Sequence, residues 1–262
     1  MVPIDKTKRL LGLMQIIYIY GGMLTPISFA CFKNLIDLYY KGTVNNKPFF
    51  VENVNYETTS RERFLPSPCF MGAFRNDESI NSFIIFVKNM IEKDYSNVNT
   101  ITGKIQDFII EKNKEKTINI IKGNEVGVMT KDEKPILIED LMGNSYLNIE
   151  FKTTYGIWIP SKNILKRTNY QWFARMSQEQ VLLSNIMIGK YILKAVAPKS
   201  DFNSIFGEID LLKPNSSNKE FVSYWNTPLY KGLYGLQPIY LGQDVQKNKE
   251  PHKNYKFVGV IA

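Results

Sequence analysis

Histidine is almost missing from this chain: His252 stands alone among 262 residues. A Ser-His-Asp or Cys-His pair would have to run through it, and its neighbours Lys249, Glu250 and Lys253 mark a charged, solvated loop. Histidine-rich metal centres are excluded. Cysteine is nearly as scarce. Cys31 and Cys69 both lie in apolar surroundings, and two thiols cannot build a disulfide framework or a four-ligand zinc site. They are expected to be buried free thiols of a cytoplasmic protein. The phosphate-cradling patterns GxxxxGK[ST] and GxGxxG are absent, so no nucleotide loop is legible. Internal repeats and low-complexity segments are also missing.

What is present is ordinary globular material with a basic balance. Apolar residues make up 44% and charged residues 22%, enough to build a sizeable core over this length. Lys and Arg number 33 against 25 Asp and Glu, a formal charge of +8. That excess suits a polyanionic partner, nucleic acid first and anionic lipid second. Residues 10–32 carry no charge and follow Lys6, Lys8 and Arg9, as a membrane helix would. However, Gln15, Tyr18, Tyr20, Gly21-Gly22 and Thr25-Pro26 interrupt them. The expected structure is a pair of buried helices, over 6–20 and 26–40, with the two glycines as the turn and Thr25-Pro26 as cap and first turn.

Beyond this pair, residues 43–76 read as strand and loop with prolines and turn residues, a candidate domain junction. The spacing of Ile80, Phe83, Ile84, Val87, Met90 and Ile91 predicts a helix over 77–95, and a second follows over 101–116. The period then changes. Residues 117–123, 125–130, 134–142 and 146–160 read as short β runs in an antiparallel meander. Ser177 with Gln180 forms a capping box opening a strong helix that Pro198 stops. The remainder mixes strands at 208–212 and 255–261 with an aromatic, glycine-bearing stretch. There Tyr224, Trp225, Tyr230, Tyr234 and Tyr240 pack as a corner or stack single-stranded bases. The expected fold is α/β (α+β mixed), a central mixed or antiparallel sheet flanked by helices. Residues 1–75 would hold the helical pair and connecting strands, and residues 76–262 an α/β core.

The chemistry concentrates in one expected hairpin. With Gly143-Asn144-Ser145 as its turn, Met142 pairs with Tyr146 and Asp140 faces Asn148. Side chains alternate along a strand, so Asn148, Glu150 and Lys152 share a face with Asp140. Two carboxylates about 7 Å apart at their β-carbons can share a Mg²⁺ ion, with a lysine beside them to hold a water. A wet strand face would carry the same residues.

The pattern Asp140-x9-Glu150-Phe151-Lys152, continuing into Thr153-Thr154-Tyr155-Gly156, resembles the PD-(D/E)xK nuclease signature, and its context is similar to type II restriction endonucleases. Glu139 stands where the signature has proline. The resemblance spans about twenty residues. It implies an α/β core, a Mg²⁺ cofactor, double-stranded DNA as partner and a dimer. It also implies Asp140 and Glu150 as metal ligands, Lys152 as the residue orienting the attacking water, and Glu78 as an additional acid from an upstream helix. The leading expectation is a Mg²⁺-dependent DNA endonuclease of restriction type. The alternative, from another class, is a structural or assembly protein such as a phage neck or tail component, forming a homo-oligomer through a large interface. A membrane-tethered protein using residues 10–32 is a third.

Overall fold

The computed structural model describes residues 3–55, 64–93, 98–182, 184, 186–196, 239–241 and 256–258. Helix α1 (Pro3–Tyr20) ends at Gly21 and Gly22, whose φ values of 70° and 103° suit a residue without a β-carbon. Strands β1 (Gly22–Leu24) and β2 (Phe29–Cys31) follow, then α2 (Leu35–Gly42), β3 (Phe49–Val54) and β4 (Phe64–Ala73). Helices α3 (Glu78–Lys93) and α4 (Val98–Lys114) lead into β5 (Asn119–Ile121). The order continues through α5 (Ile138–Met142), β6 (Gly156–Trp158), α6 (Ser161–Lys166), α7 (Gln178–Leu182) and α8 (Met187–Val196). A final pair, β7 (Ile239–Leu241) and β8 (Lys256–Val258), is antiparallel.

The fold is α/β mixed. Its main sheet has the order β1-β4-β3-β5, antiparallel except for the parallel β3–β5 pair. Alternation along β3 and β4 divides the core between the two faces. Phe50 and Met71 join Met14, Ile17, Ile80, Phe83, Val87, Ile105 and Ile109 beneath α1, α3 and α4. Phe49, Val51 and Phe70 point the other way, onto Leu38, Val126 and Trp158. The first of these clusters takes residues from both sides of position 75. A third cluster centres on Trp172, Tyr191, Ile138 and Leu141, away from the main sheet. Strand β4 accommodates Pro66 and Pro68 because β1 pairs only with its end, Met71 to Ala73, and the β3 pairing shifts register between Phe50 and Val51.

Several expectations are corrected. The second N-terminal helix does not run over 26–40. Phe29, Ala30 and Cys31 instead pair with Trp158, Ile157 and Gly156, and the helix begins only at Leu35, where Asn34 Oδ1 accepts the Ile36 N–H at 3.0 Å. The meander over 117–160 is reduced to one antiparallel bridge, Met129 to Pro135, with the Ile136 N–H donating to the Val128 carbonyl. β5 is real but pairs in parallel with β3, and residues 138–142 are the helix α5. The long helix over 177–196 is two helices. Ser177 and Gln180 do form the capping box of α7, but Ser184 Oγ then donates to the Val181 carbonyl at 2.6 Å and the Met187 N–H is taken by the Gly143 carbonyl. Both contacts close α7 and re-aim the chain into α8. Among the described residues no helix is long and apolar enough to cross a membrane.

Gly12 sits inside α1 with no atom within 4 Å of where a β-carbon would stand. Gly12→Ala is expected to raise stability by about 0.5–1 kcal/mol, read as a higher urea midpoint at unchanged slope.

Candidate functional site

Asp140 and Glu150 do not face each other across a hairpin. Asp140 lies in the first turn of α5, and its Oδ2 accepts the Leu137 backbone N–H at 2.8 Å. This is half of a capping box; Leu137 has no side-chain oxygen to supply the other half. Glu139 next to it pairs with Arg167, and both acids act with Arg167 on Tyr170. Burial, then Glu139, holds the Tyr170 hydroxyl above its ordinary value. An acid at this position therefore serves the helix that the sequence pattern concealed.

Glu150 belongs to a different group. Its backbone carbonyl accepts the Thr153 and Thr154 N–H groups at 3.1 and 3.0 Å and both threonine hydroxyls, which folds 150–154 into a turn in place of a strand. Its carboxylate meets Lys131 at 3.5 Å and supports the charge of Lys33. Lys152 is exposed, and its carbonyl accepts a hydrogen bond from Lys33 Nζ. The structure thus gathers Glu150, Lys33, Lys131 and the Lys152 backbone, and leaves Asp140 with Glu139, Arg167 and Tyr170. Glu78 is exposed in the first turn of α3, where Asp77 does the capping. Among the described residues no three His, Cys, Asp or Glu side chains are placed to hold a metal ion. Asp140 and Glu150 each have their own protein partners, the Leu137 N–H for Asp140 and Lys131 for Glu150. His252, Tyr224, Trp225, Tyr230 and Tyr234 lie outside the described residues; Tyr240 lies in β7, opposite Phe257.

No protein-family model, curated protein or solved structure matches this chain.

The residues that sequence reasoning passed over sit against the same loop, on α8. Tyr191 and Lys194 are three apart and so share a helix face. Both are buried, Lys194 to 3% exposure. The Lys194 ammonium lies 4.4 Å from the centre of the Phe151 ring and 5.3 Å from that of Phe32. The same two rings stand 6.0 and 6.5 Å from Tyr191. Burial, and then the neighbouring charge of Lys33, pulls Lys194 down to about 7. Lys33 is lowered by burial while Glu150 opposes the shift. The Tyr191 hydroxyl is pushed up by burial and by Tyr146, and among the described residues it has no hydrogen-bond partner. Apolar residues surround Lys194 along the chain, and on a helix that pattern reads as core. Only the meeting of α8 with β2 and the loop before β6 shows that two phenylalanines and a second lysine converge on it.

Proposed function

We propose that the protein is a structural or assembly component that packs against further copies of itself through the outer faces of α1 and α2. The observation that carries this reading is α1. Met14 and Ile17 are buried against α3 and the sheet, yet Ile16 and Ile19 are 53% exposed and Tyr20 77%. A stripe at i, i+3 and i+4 forms one continuous face. Ile36 and Tyr40 make a second exposed stripe on α2, and Ile27 projects between them in sequence. Both helices dock on residues 73–76: the Asn76 N–H donates to the Tyr18 carbonyl, and the Tyr39 hydroxyl donates to the Ala73 carbonyl. Six large side chains of this kind leave on the order of several hundred Å² of apolar surface in water, the size at which such surfaces mark an interface. Residues 10–32 hold no charge, so two copies of a +8 protein can meet there without like-charge repulsion.

Sedimentation over a range of concentrations tests this. The expected result is a concentration-dependent oligomer whose dissociation constant rises at least about tenfold in Ile19→Glu or Tyr40→Glu, since an interface charge left unpaired costs more than about 1.4 kcal/mol. A monomer at every concentration sinks the reading. The competing reading is the Mg²⁺-dependent endonuclease acting on double-stranded DNA. Its support is the Asp140, Glu150 and Lys152 pattern together with the basic charge. Discrete Mg²⁺-dependent plasmid fragments that vanish in Glu150→Ala and Lys152→Ala would put that reading first.

A further inference from the structure

We propose that α6 and the 3-10 helix that follows it (Thr168–Arg175) form a docking surface for the phosphate backbone of double-stranded DNA, with Lys162, Lys166, Arg167 and Arg175 as its cations. The inference depends on neither self-assembly nor cleavage. It rests on where acids are missing. Residues 151–178 hold these cations and Lys152, and no Asp or Glu. Lys162, Lys166, Arg167 and Arg175 are all exposed. Lys162 and Lys166 stand one turn apart on α6 and so share a face. Among the described residues, neither of them, nor Arg175, has an ion pair. Arg167 does: it meets Glu139 of α5. Asp140, the other acid of that helix, is engaged with the Leu137 N–H.

The surface is fixed from beneath. Ile164, Tyr170 and Trp172 are buried in the same core cluster as Ile138 and Leu141. Gln171 Nε2 donates to the Leu165 carbonyl at 3.0 Å, which ties the 3-10 helix to α6. Trp172 Nε1 donates to the Asn169 carbonyl at 2.8 Å and closes the turn between them. Apolar side chains thus face the core while the cations face water. Thr168 and Asn169 are exposed beside Arg167 and add neutral donors of the kind that meet phosphate oxygens. The duplex is favoured over a single strand because Tyr170 and Trp172 are turned inward, so they offer bases no platform to stack on. A lipid surface fits less well. Leu165, at 60%, is the one large apolar side chain exposed over 161–175, and membrane binding takes an apolar face as well as charge.

Fluorescence anisotropy of a labelled DNA duplex, titrated with the full chain in EDTA between about 50 and 200 mM potassium chloride, tests the surface. EDTA removes any metal-dependent cleavage, so binding is read separately from the endonuclease reading. The expected result is an association constant whose logarithm falls linearly with the logarithm of salt concentration. Each lysine–phosphate contact contributes about 0.9 to that slope, so Lys162→Gln/Lys166→Gln should flatten it by about 1.8 and weaken binding at least about tenfold at about 100 mM salt. The comparison is Lys104→Gln/Lys114→Gln on α4, which removes the same charge from a helix that also carries Asp107 and Glu111. That variant should keep the wild-type slope. Both variants should keep the wild-type urea midpoint, since all four lysines are exposed. Absence of duplex binding overturns the proposal. So do equal slopes in the two variants, or phosphatidylserine vesicles bound more tightly than the duplex.

Discussion

Replacing Lys194 with methionine is expected to remove most of the pH dependence of stability between about pH 7 and pH 9, and to raise stability most at pH 7 and below. In the unfolded chain this amine has its ordinary value of 10.5; in the folded protein, burial and Lys33 bring it to about 7. Between those values the unfolded chain binds a proton that the native state lacks, so stability increases with pH. The slope approaches about 1.4 kcal/mol per pH unit for one proton. From pH 7 to pH 9 the gain is roughly 2–3 kcal/mol, and below 7 the whole penalty is present. Methionine has similar length and no charge to desolvate, and it packs well on aromatic rings. Lys33 is lowered too, so it contributes with the same sign and leaves a smaller residual slope. Urea unfolding at three pH values checks this. An equal slope in the wild type and Lys194→Met would mean that the amine is not held in the apolar setting between Phe32 and Phe151.

The second large effect concerns Phe49 and the glycines it touches. Phe49 is fully buried on the central strand β3, packed edge-on against Tyr39 at 6.5 Å between ring centres. A β-carbon built on Gly72, its partner across β4, would lie 2.5 Å from Phe49 Cε1. Gly42, at the end of α2, is pressed onto the same ring. The ring occupies space that two absent side chains leave open. Phe49→Ala is expected to cost about 3–5 kcal/mol, since neither glycine can fill the cavity. Gly72→Ala is expected to cost about 1–3 kcal/mol by overpacking. The two should not add: in a Phe49→Leu background the Gly72→Ala cost should fall by at least about 1 kcal/mol, because the shorter side chain clears the new methyl. Additive costs would show that the ring and Gly72 do not share the space, and denaturant titrations of the four proteins decide it.

These residues also show what could be read in advance. The stripe Ile80, Phe83, Ile84, Val87 announced α3 because a 3.6-residue period over sixteen residues is strong and local. The Gly21-Gly22 turn and the Ser177–Gln180 box were legible for the same reason, since each depends on neighbours within a few positions. The hairpin carrying Asp140, Glu150 and Lys152 was not. Its residues are β-favouring, but strand propensity is decided by partners far along the chain. Here the partner for β6 is β2, some 130 positions away, and residues 150–154 close on their own carbonyl instead.

The sequence by itself determined the α/β class, the helices whose apolar faces repeat, the basic charge and the uncharged stretch over 10–32, all properties of composition and short-range period. Only the tertiary structure decided that Asp140 caps a helix while Glu150 meets lysines. It alone brought Lys194 and Tyr191 under Phe32 and Phe151, and left Ile16, Ile19 and Tyr20 facing water. Each of those outcomes depends on which distant surfaces meet. The pairing of β2 with β6 and the seating of α8 against that loop arise from burial of apolar area, which has no direction along the chain.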